Sequence, residues 1–289
     1  MQKYENSAIS VAQYSAYLAI FVEISSGMQD MLGKTAEAVS EASKLMTAGG
    51  FEIMEKDGVE NLVTSSDLAV QHFLTERLAE ILPGSGFLCE EEDFRDISEE
   101  YVWIIDPIDG TANYARGIED CCISVALARN GVLQAGVVYS PGRRELYMAA
   151  KGCGAFLDGR PIHVSARPFE NGLLCTAMST YRKEYAKSCS DIIYDIYMRS
   201  NDVRRFGSAA VELCMMAKGT IELYFEMRLQ PWDYAAASLI LTEAGGCVTD
   251  FDGNFPSLTK PSMVIAANTE ENLSELLSTV RRHLDKLPY

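Results

Sequence analysis

Two carboxylates three residues apart, Asp106 and Asp109, flank a proline and are followed by Gly110 and Thr111 at the end of the apolar run Val102-Trp103-Ile104-Ile105. A continuous apolar run of that length reads as a buried strand, which delivers both acids at its carboxyl end. Pro107 restricts the backbone between them and Gly110 permits tight turning, so the turn can aim both side chains and the Ile108 carbonyl into one space. Oxygen donors of that kind suit a hard cation such as Mg2+, which prefers octahedral geometry and a few carboxylates completed by waters. The amides of Gly110 and Thr111, at the start of a helix, would then face a phosphate. Taken alone, the same residues also describe a strand-end acid at Asp106 and an ordinary helix cap at Asp109.

Three further features bear on that choice. Glu90-Glu91-Glu92 follow the apolar Phe87-Leu88-Cys89, Trp232-Asp233 opens an Ala-rich helix after Pro231, and Thr64 and Asp67 stand at a third helix entrance. The ordered set Val63-Thr64-Ser65-Ser66-Asp67, Glu90-Glu91, Asp106-Pro107-Ile108-Asp109-Gly110-Thr111 and Pro231-Trp232-Asp233-Tyr234-Ala235-Ala236-Ala237 resembles the inositol monophosphatase family of metal-dependent, lithium-sensitive phosphatases. The resemblance covers roughly residues 28–285, and four motifs in order are far more specific than any one of them. It implies an α+β or α/β fold, a layered α-β-α-β-α sandwich of the sugar-phosphatase type, and a homodimer.

Residue by residue, the resemblance implies a site for two to three Mg2+ ions. Glu90, Asp106 and the carbonyl of Ile108 match the ligands of a first ion, and Asp106, Asp109 and Asp233 those of a second, with Glu90 also touching a third. Asp67 and Thr111 match the pair that orients the attacking water, with Glu90 helping to position it. Lys56, eleven residues before Asp67, matches a family lysine near the metal, or is a solvated surface lysine. Gly110 and Thr111 would face the phosphate, with Asp233 also bordering the substrate. Ala112-Asn113-Tyr114 is similar to the form seen in inositol monophosphatases, as is Arg204-Arg205-Phe206-Gly207-Ser208-Ala209-Ala210. By that match Gly207, Ser208 and Ala209 line the sugar-ring pocket and Glu226 accepts hydrogen bonds from ring hydroxyls, because a carboxylate offers acceptors to a row of donors. Ser208 also reads as a helix N-cap and Glu226 as a strand-end acid. Two departures from the family pattern, Cys89 before the Glu pair and Ala237 in place of a glycine, fall beside the site.

The expected activity is a Mg2+-dependent phosphomonoesterase that hydrolyses inositol 1-phosphate and similar polyol phosphates with metal-activated water. Bound metal lowers the pKa of water and neutralises phosphoryl oxygens, so no side-chain nucleophile is needed. His72, His163 and His283 sit in no recognisable catalytic setting. Fructose 1,6-bisphosphate is the alternative substrate, alone or in a dual enzyme. A regulatory interaction protein that keeps the fold is the non-enzymatic alternative.

The elements that must position these residues follow from periodicity and punctuation. Met31, Leu32, Ala36, Val39, Ala42, Leu45 and Met46 predict a helix from Met28 that Gly49-Gly50 stops. Ser65 or Ser66 caps a second helix with the apolar face Val70, Phe73, Leu74, Leu78 and Ile81. Asn130-Gly131 and Asp158-Gly159 predict hairpin turns. Beyond them come helix 209–218, strand 221–225, helix 232–244, strand 262–267 and helix 270–286. Residues 1–27 read as an N-terminal extension to a single phosphatase domain, 28–289, whose metal-binding α+β half is 28–166 and whose α/β half is 167–289.

Composition narrows the remainder. The 289 residues include 25 Lys and Arg against 41 Asp and Glu, a formal net charge of −16. Duplex affinity rests largely on basic side chains, so direct nucleic-acid binding is not expected. An acidic chain holds an anionic substrate only where bound cations or helix amides reverse the local field. Eight cysteines without paired metal spacing read as free thiols of a cytoplasmic protein. The apolar stretch 11–24, broken by Gln13 and Glu23, is too short to span a bilayer, and no membrane association is expected.

Overall fold

The computed structural model of the chain describes residues 26–46, 53–55, 62–91, 95–178 and 182–284. Residues 1–25 of the expected extension and Lys56 lie outside them. In chain order the elements are α1 (Ser26–Ala42), β1 (Ile53–Glu55), β2 (Leu62–Thr64), α2 (Ser65–Ile81), β3 (Gly86–Cys89), β4 (Arg95–Asp96), β5 (Tyr101–Asp109) and the one-turn α3 (Thr111–Tyr114). There follow β6 (Cys122–Arg129), β7 (Val132–Ser140), β8 (Glu145–Ala150), β9 (Ala155–Leu157), β10 (Arg160–Ile162), β11 (Leu173–Thr176), α4 (Ala186–Tyr197), β12 (Asp202–Arg204) and α5 (Ala209–Ala217). The chain closes with β13 (Leu223–Leu229), α6 (Pro231–Glu243), β14 (Cys247–Thr249), β15 (Ser262–Ala267) and α7 (Glu270–His283). Among the described residues no helix is long and apolar enough to cross a membrane.

Three apolar cores separate five layers. Successive side chains of a strand point to opposite faces, and β5 shows the consequence: Trp103 and Ile105 pack with Leu32, Val39, Val70 and Leu74 of α1 and α2, whereas Ile104 packs with α5 and α6. The first sheet, in the order β10-β9-β8-β7-β6-β5-β3-β4, is thus covered by α1 and α2 on one face and by α5 and α6 on the other. The second sheet, β12-β11-β13-β15-β14, shares that middle core through Cys175, Tyr224 and Val264. Its outer face, Leu174, Leu223, Phe225 and Ile265, packs on α4 and α7. The fold is the expected α-β-α-β-α sandwich.

α6 is the central rod. Ten of its residues are buried, on every side of the helix, as suits an element enclosed between two sheets. Ala237 is fully buried there, so the small departure from the family pattern is accommodated inside the core. Gly136 of β7 lets the helix approach: a Cβ there would stand 2.7 Å from the Ala236 carbonyl oxygen.

The hairpin turns form as read, with Asn130 and Gly131 at φ 49° and 74° joining β6 to β7. Several boundaries differ from the sequence expectation: the strand expected at 221–225 is β13, Leu223–Leu229, the helix expected at 232–244 is α6, Pro231–Glu243, and α7 closes at His283. Helix α1 ends at Ala42 and tightens into a 3-10 turn, Ser43–Met46, ahead of the glycine pair. The cap of α2 is Thr64, whose hydroxyl accepts from the Ser66 amide, and not either serine.

Replacing Gly136 by valine forces the β7 backbone and α6 apart. The expected loss is about 1–3 kcal/mol of unfolding free energy, the usual range for overpacking, read as a lower urea midpoint.

Candidate metal and phosphate site

Five chain segments converge where the two halves meet: residues 64–71, 90–91, 106–111, 207–210 and 230–233. Strands β3 and β5 run parallel with Cys89 opposite Ile105, which places Glu90 immediately beyond the first strand and Asp106 beside it on the second. The Glu90 amide donates to the Ile105 carbonyl at 3.2 Å. Gln71, one helical turn after Asp67 on α2, fixes the same corner: its amide nitrogen donates to the Glu91 carbonyl at 2.5 Å and its oxygen accepts from the Glu91 amide at 2.9 Å. Cys89 is buried against this corner, so its departure from glycine leaves the strand end intact.

Between Asp106 and Asp109 the ladder to β6 shifts register, and the turn this creates is closed by side chains. Asp106 Oδ1 accepts from the Ile108 amide at 3.0 Å across Pro107. The Thr111 hydroxyl lies 3.0 Å from the Ile108 carbonyl and 3.2 Å from Asp67 Oδ1. With one proton to give, it serves one of the two acceptors at a time. Asp67 belongs to a capping box at the start of α2, where its Oδ2 accepts from the Thr64 amide at 2.8 Å and the Thr64 hydroxyl at 2.5 Å.

Asp109 is held by the second half of the chain. Its Oδ2 accepts from the Ser208 hydroxyl at 2.6 Å and from the Ala210 amide at 2.7 Å, at the N-terminus of α5. Ser208 caps that helix through the Val211 amide as well. Ser208 therefore caps α5 and binds Asp109 with one hydroxyl. Asp233 sits at the first turn of α6 and accepts from the Gln230 amide at 2.8 Å. Gly110 and Gly207 bring the two halves together: both have positive φ, 90° and 85°, and a Cβ on Gly110 would lie 3.3 Å from the Gly207 carbonyl. Glu226 on β13 accepts from the Tyr224 hydroxyl at 2.8 Å and faces Asp109 as a like charge.

Burial sets the electrostatics. Asp106 is pushed far above the ordinary carboxylate range by desolvation and by the neighbouring Glu90, Asp109 and Asp233, and it shares a hydrogen bond with Glu90. Asp233 is raised by burial, then by Asp109 and Glu90. Asp109 rises to about 6 through burial, against the opposing hydrogen bonds from Ser208 and the helix amides. Burial lifts Asp67 too, and carries Glu226 to about 7 and Glu212 to about 8. Among the described residues no three His, Cys, Asp or Glu side chains stand in an arrangement that could hold a metal ion as it is. Glu90, Asp106, Asp109 and Asp233 nevertheless act on one another as like charges. An all-oxygen cluster that cannot fully ionise by itself is the donor set a hard divalent cation fits.

The sequence reading therefore named the acids that meet. It missed Gln71, Tyr224 and Glu212, and gave Asn113 no role of its own. Gln71 repeats Asp67 at i+4 and Glu212 repeats Ser208 at i+4, spacings that place each pair on one helix face.

The model of the inositol monophosphatase family matches residues 19–285. A relative from Neisseria meningitidis serogroup B, named "Putative Nus factor SuhB", is 35% identical over 263 residues, covering 89% of this chain and all of the relative. The solved IMPase of Thermotoga maritima superposes with a TM-score of 0.79 at 29% identity, covering 89% of this chain and 99% of that one. An IMPase/NADP phosphatase solved with Mg2+ and phosphate superposes with a TM-score of 0.73 at 26% identity, over 82% of this chain and 88% of that one.

The raised carboxyls make metal response depend on pH. A group with a folded-state pKa above its unfolded value contributes stability below the unfolded pKa and loses it as pH rises through the folded one. Asp109, raised to about 6, therefore makes the chelator-treated protein melt lower at pH 8 than at pH 5. Millimolar Mg2+ should raise the melting temperature more at pH 8, because metal competes with protons for the same oxygens. Equal responses at both pH values would contradict the assignment.

Proposed function

The chain belongs to the inositol monophosphatase family and is a metal-dependent phosphatase; we propose that its metal is Mg2+ and that its substrates are inositol 1-phosphate and similar polyol phosphates. The observation that supports this reading is the meeting of Glu90, Asp106, Asp109 and Asp233 beside the Asp67–Thr111 pair, with the Ser208 hydroxyl on Asp109 and Glu226 near enough to act on Asp233.

Glu90, Asp106, the Ile108 carbonyl, Asp109 and Asp233 would hold two to three ions. Bound there, the metal would acidify water and neutralise charge on the phosphoryl oxygens. The chain's own groups supply orientation. When Asp67 is ionised it takes the Thr111 hydroxyl proton in a hydrogen bond, which turns the Thr111 lone pairs outward to accept from a water and so sets the line of attack. Glu90, pinned through Gln71 and its neighbour Glu91, borders the same space. Gly110, at φ 90°, brings its own and the Thr111 amide within reach of a phosphate. On the far side Glu226, ionised, offers acceptor lone pairs to ring hydroxyls, and Tyr224 fixes its orientation.

A second, non-enzymatic role is favoured by one finding, the Nus factor name of the Neisseria relative. With a net charge of −16, such a role would run through a protein partner and not through direct contact with nucleic acid. A cytoplasmic homodimer completes the proposed setting.

Asp109→Asn should abolish Mg2+-supported phosphate release, by about 10²-fold or more, and leave the fold intact, because it removes one of several repelling charges. Turnover retained in that variant would count against the mechanism. In the wild type, Glu226 with a pKa of about 7 is an anionic acceptor above that pH and loses the role below it. The KM for inositol 1-phosphate is accordingly expected to rise severalfold from pH 8 to pH 6, and Glu226→Gln to flatten that dependence.

A further inference from the structure

The peptide groups on either side of Phe206 are gripped by two side chains that reach in from different halves of the molecule. From behind, the buried Glu212 of α5 accepts with Oε1 from the Phe206 amide at 2.6 Å and the Gly207 amide at 3.0 Å. From the front, Asn113 of α3 donates through Nδ2 to the Phe206 carbonyl at 2.6 Å and to the Asp120 carbonyl at 2.7 Å. Two carbonyl oxygens facing one amide group fix its orientation, since the oxygen end would meet only acceptors. The Phe206 ring is also covered: the Arg143 guanidinium lies 5.4 Å from its centroid and is itself held by Asp120 at 2.6 Å. The grip sets the course of the chain into Gly207, where a Cβ would come within 3.1 Å of the Asn113 nitrogen.

We propose that Asn113 and Glu212 are positioning residues for substrate recognition: together they pin the Phe206 peptide groups and hold the Gly207–Ala209 wall against the acid-bearing turn. The proposal deepens the substrate reading above and rests on it for its kinetic consequence. Neither side chain hydrogen-bonds the acids, although Glu212 faces Glu226 and Asp109 as a like charge. Asp109 is tied by Ser208 and by the Ala210 amide, which the packing of α5 keeps in place. Loss of the clamp therefore loosens the ring side of the pocket and spares the metal side, which separates an effect on KM from an effect on kcat. Burial lifts Glu212 to about 8, so near neutral pH it is largely protonated. What the two amides need from it is an acceptor oxygen and not a charge.

The test compares Asn113→Ala, Glu212→Met and Glu212→Gln with the wild type. It measures kcat and KM for inositol 1-phosphate in saturating Mg2+, and hydrogen–deuterium exchange of the 205–208 amides in the chelator-treated protein. Asn113→Ala and Glu212→Met should raise KM about tenfold, a shift equivalent to about 1.4 kcal/mol, and change kcat less than threefold. Both should speed exchange at Phe206 and Gly207. Glu212→Gln, which keeps the acceptor oxygen, should restore KM and protection. If Glu212→Met does not fold, Asn113→Ala, altered on a one-turn helix, and Glu212→Gln decide the matter. The proposal is overturned if Asn113→Ala leaves KM and exchange unchanged, if its loss falls on kcat at constant KM, or if Glu212→Gln exchanges faster than wild type at these amides. Absence of turnover in the unmodified protein would refute the substrate reading alone, since exchange in the metal-free protein still decides whether the clamp exists.

Discussion

The structure depends on carboxylates that are buried together and repel one another. Removing an ion from water carries an effective cost of several kcal/mol even after relaxation, and here Asp106, Asp109 and Asp233 each add to the difficulty of ionising the others. A fold can tolerate such a cluster only if the rest of the chain overcompensates. Five layers with three apolar cores do so, and the layer nearest the acids, α5 and α6 between the two sheets, is the most completely enclosed. The strain is concentrated at the one place where protons or a cation can relieve it. That is how a chain of net charge −16 can receive a phosphate ester.

The acids are held by ordinary local devices. Asp67, Asp109 and Asp233 all lie at helix N-termini, where unsatisfied amides favour negative charge. Asp67 and Asp233 cap their own helices, whereas Asp109 reaches across to α5 from the other half of the chain. At Ser208, which the sequence offers both as a cap and as a site residue, the cap bond and the bond to Asp109 are made together. Each cap bond also removes an orientational freedom that a flexible acid would have to lose on binding metal. Pre-organisation of this kind lowers the cost of assembling a site.

The acids are legible as a set because four motifs in order carry the family resemblance; punctuation alone, an apolar run ending in Asp-Pro, a glycine and a helix start, leaves Asp106 and Asp109 open to reading as a strand-end acid and a helix cap. The fold was legible wherever apolar periodicity was clean, as along β5 and α7. Legibility fails where polarity and burial part company. Glu212 sits in a helix whose every other turn is apolar, and only the approach of the Phe206 loop explains it. Gln71 looks like a surface residue of an amphipathic helix until the Glu91 backbone closes on it. The sequence reading does not find helix α4, although Cys189, Ile192 and Ile196 form a buried stripe along its inner face. The cap of α2 was displaced by one residue because Thr64, Ser65 and Ser66 are all competent caps, and only the Asp67 carboxylate selects among them.

The division of labour between the halves has a consequence for specificity. Strands β3 and β5 and helices α2 and α3 supply Asp67, Glu90, Asp106, Asp109 and Thr111; the second half supplies Asp233 and the arc from Arg204 to Ala209. Of that arc Ser208 and Ala209, and Ala210 just past its end, bond Asp109, while Arg205 bears on Glu226. Residues before Gly207 can therefore change without rebuilding the acidic cluster, provided the backbone course through Phe206 is kept. On the proposed reading, substrate preference can drift in a protein built this way while the phosphoryl chemistry stays fixed, because side chains from both halves hold the peptide that lies between the two.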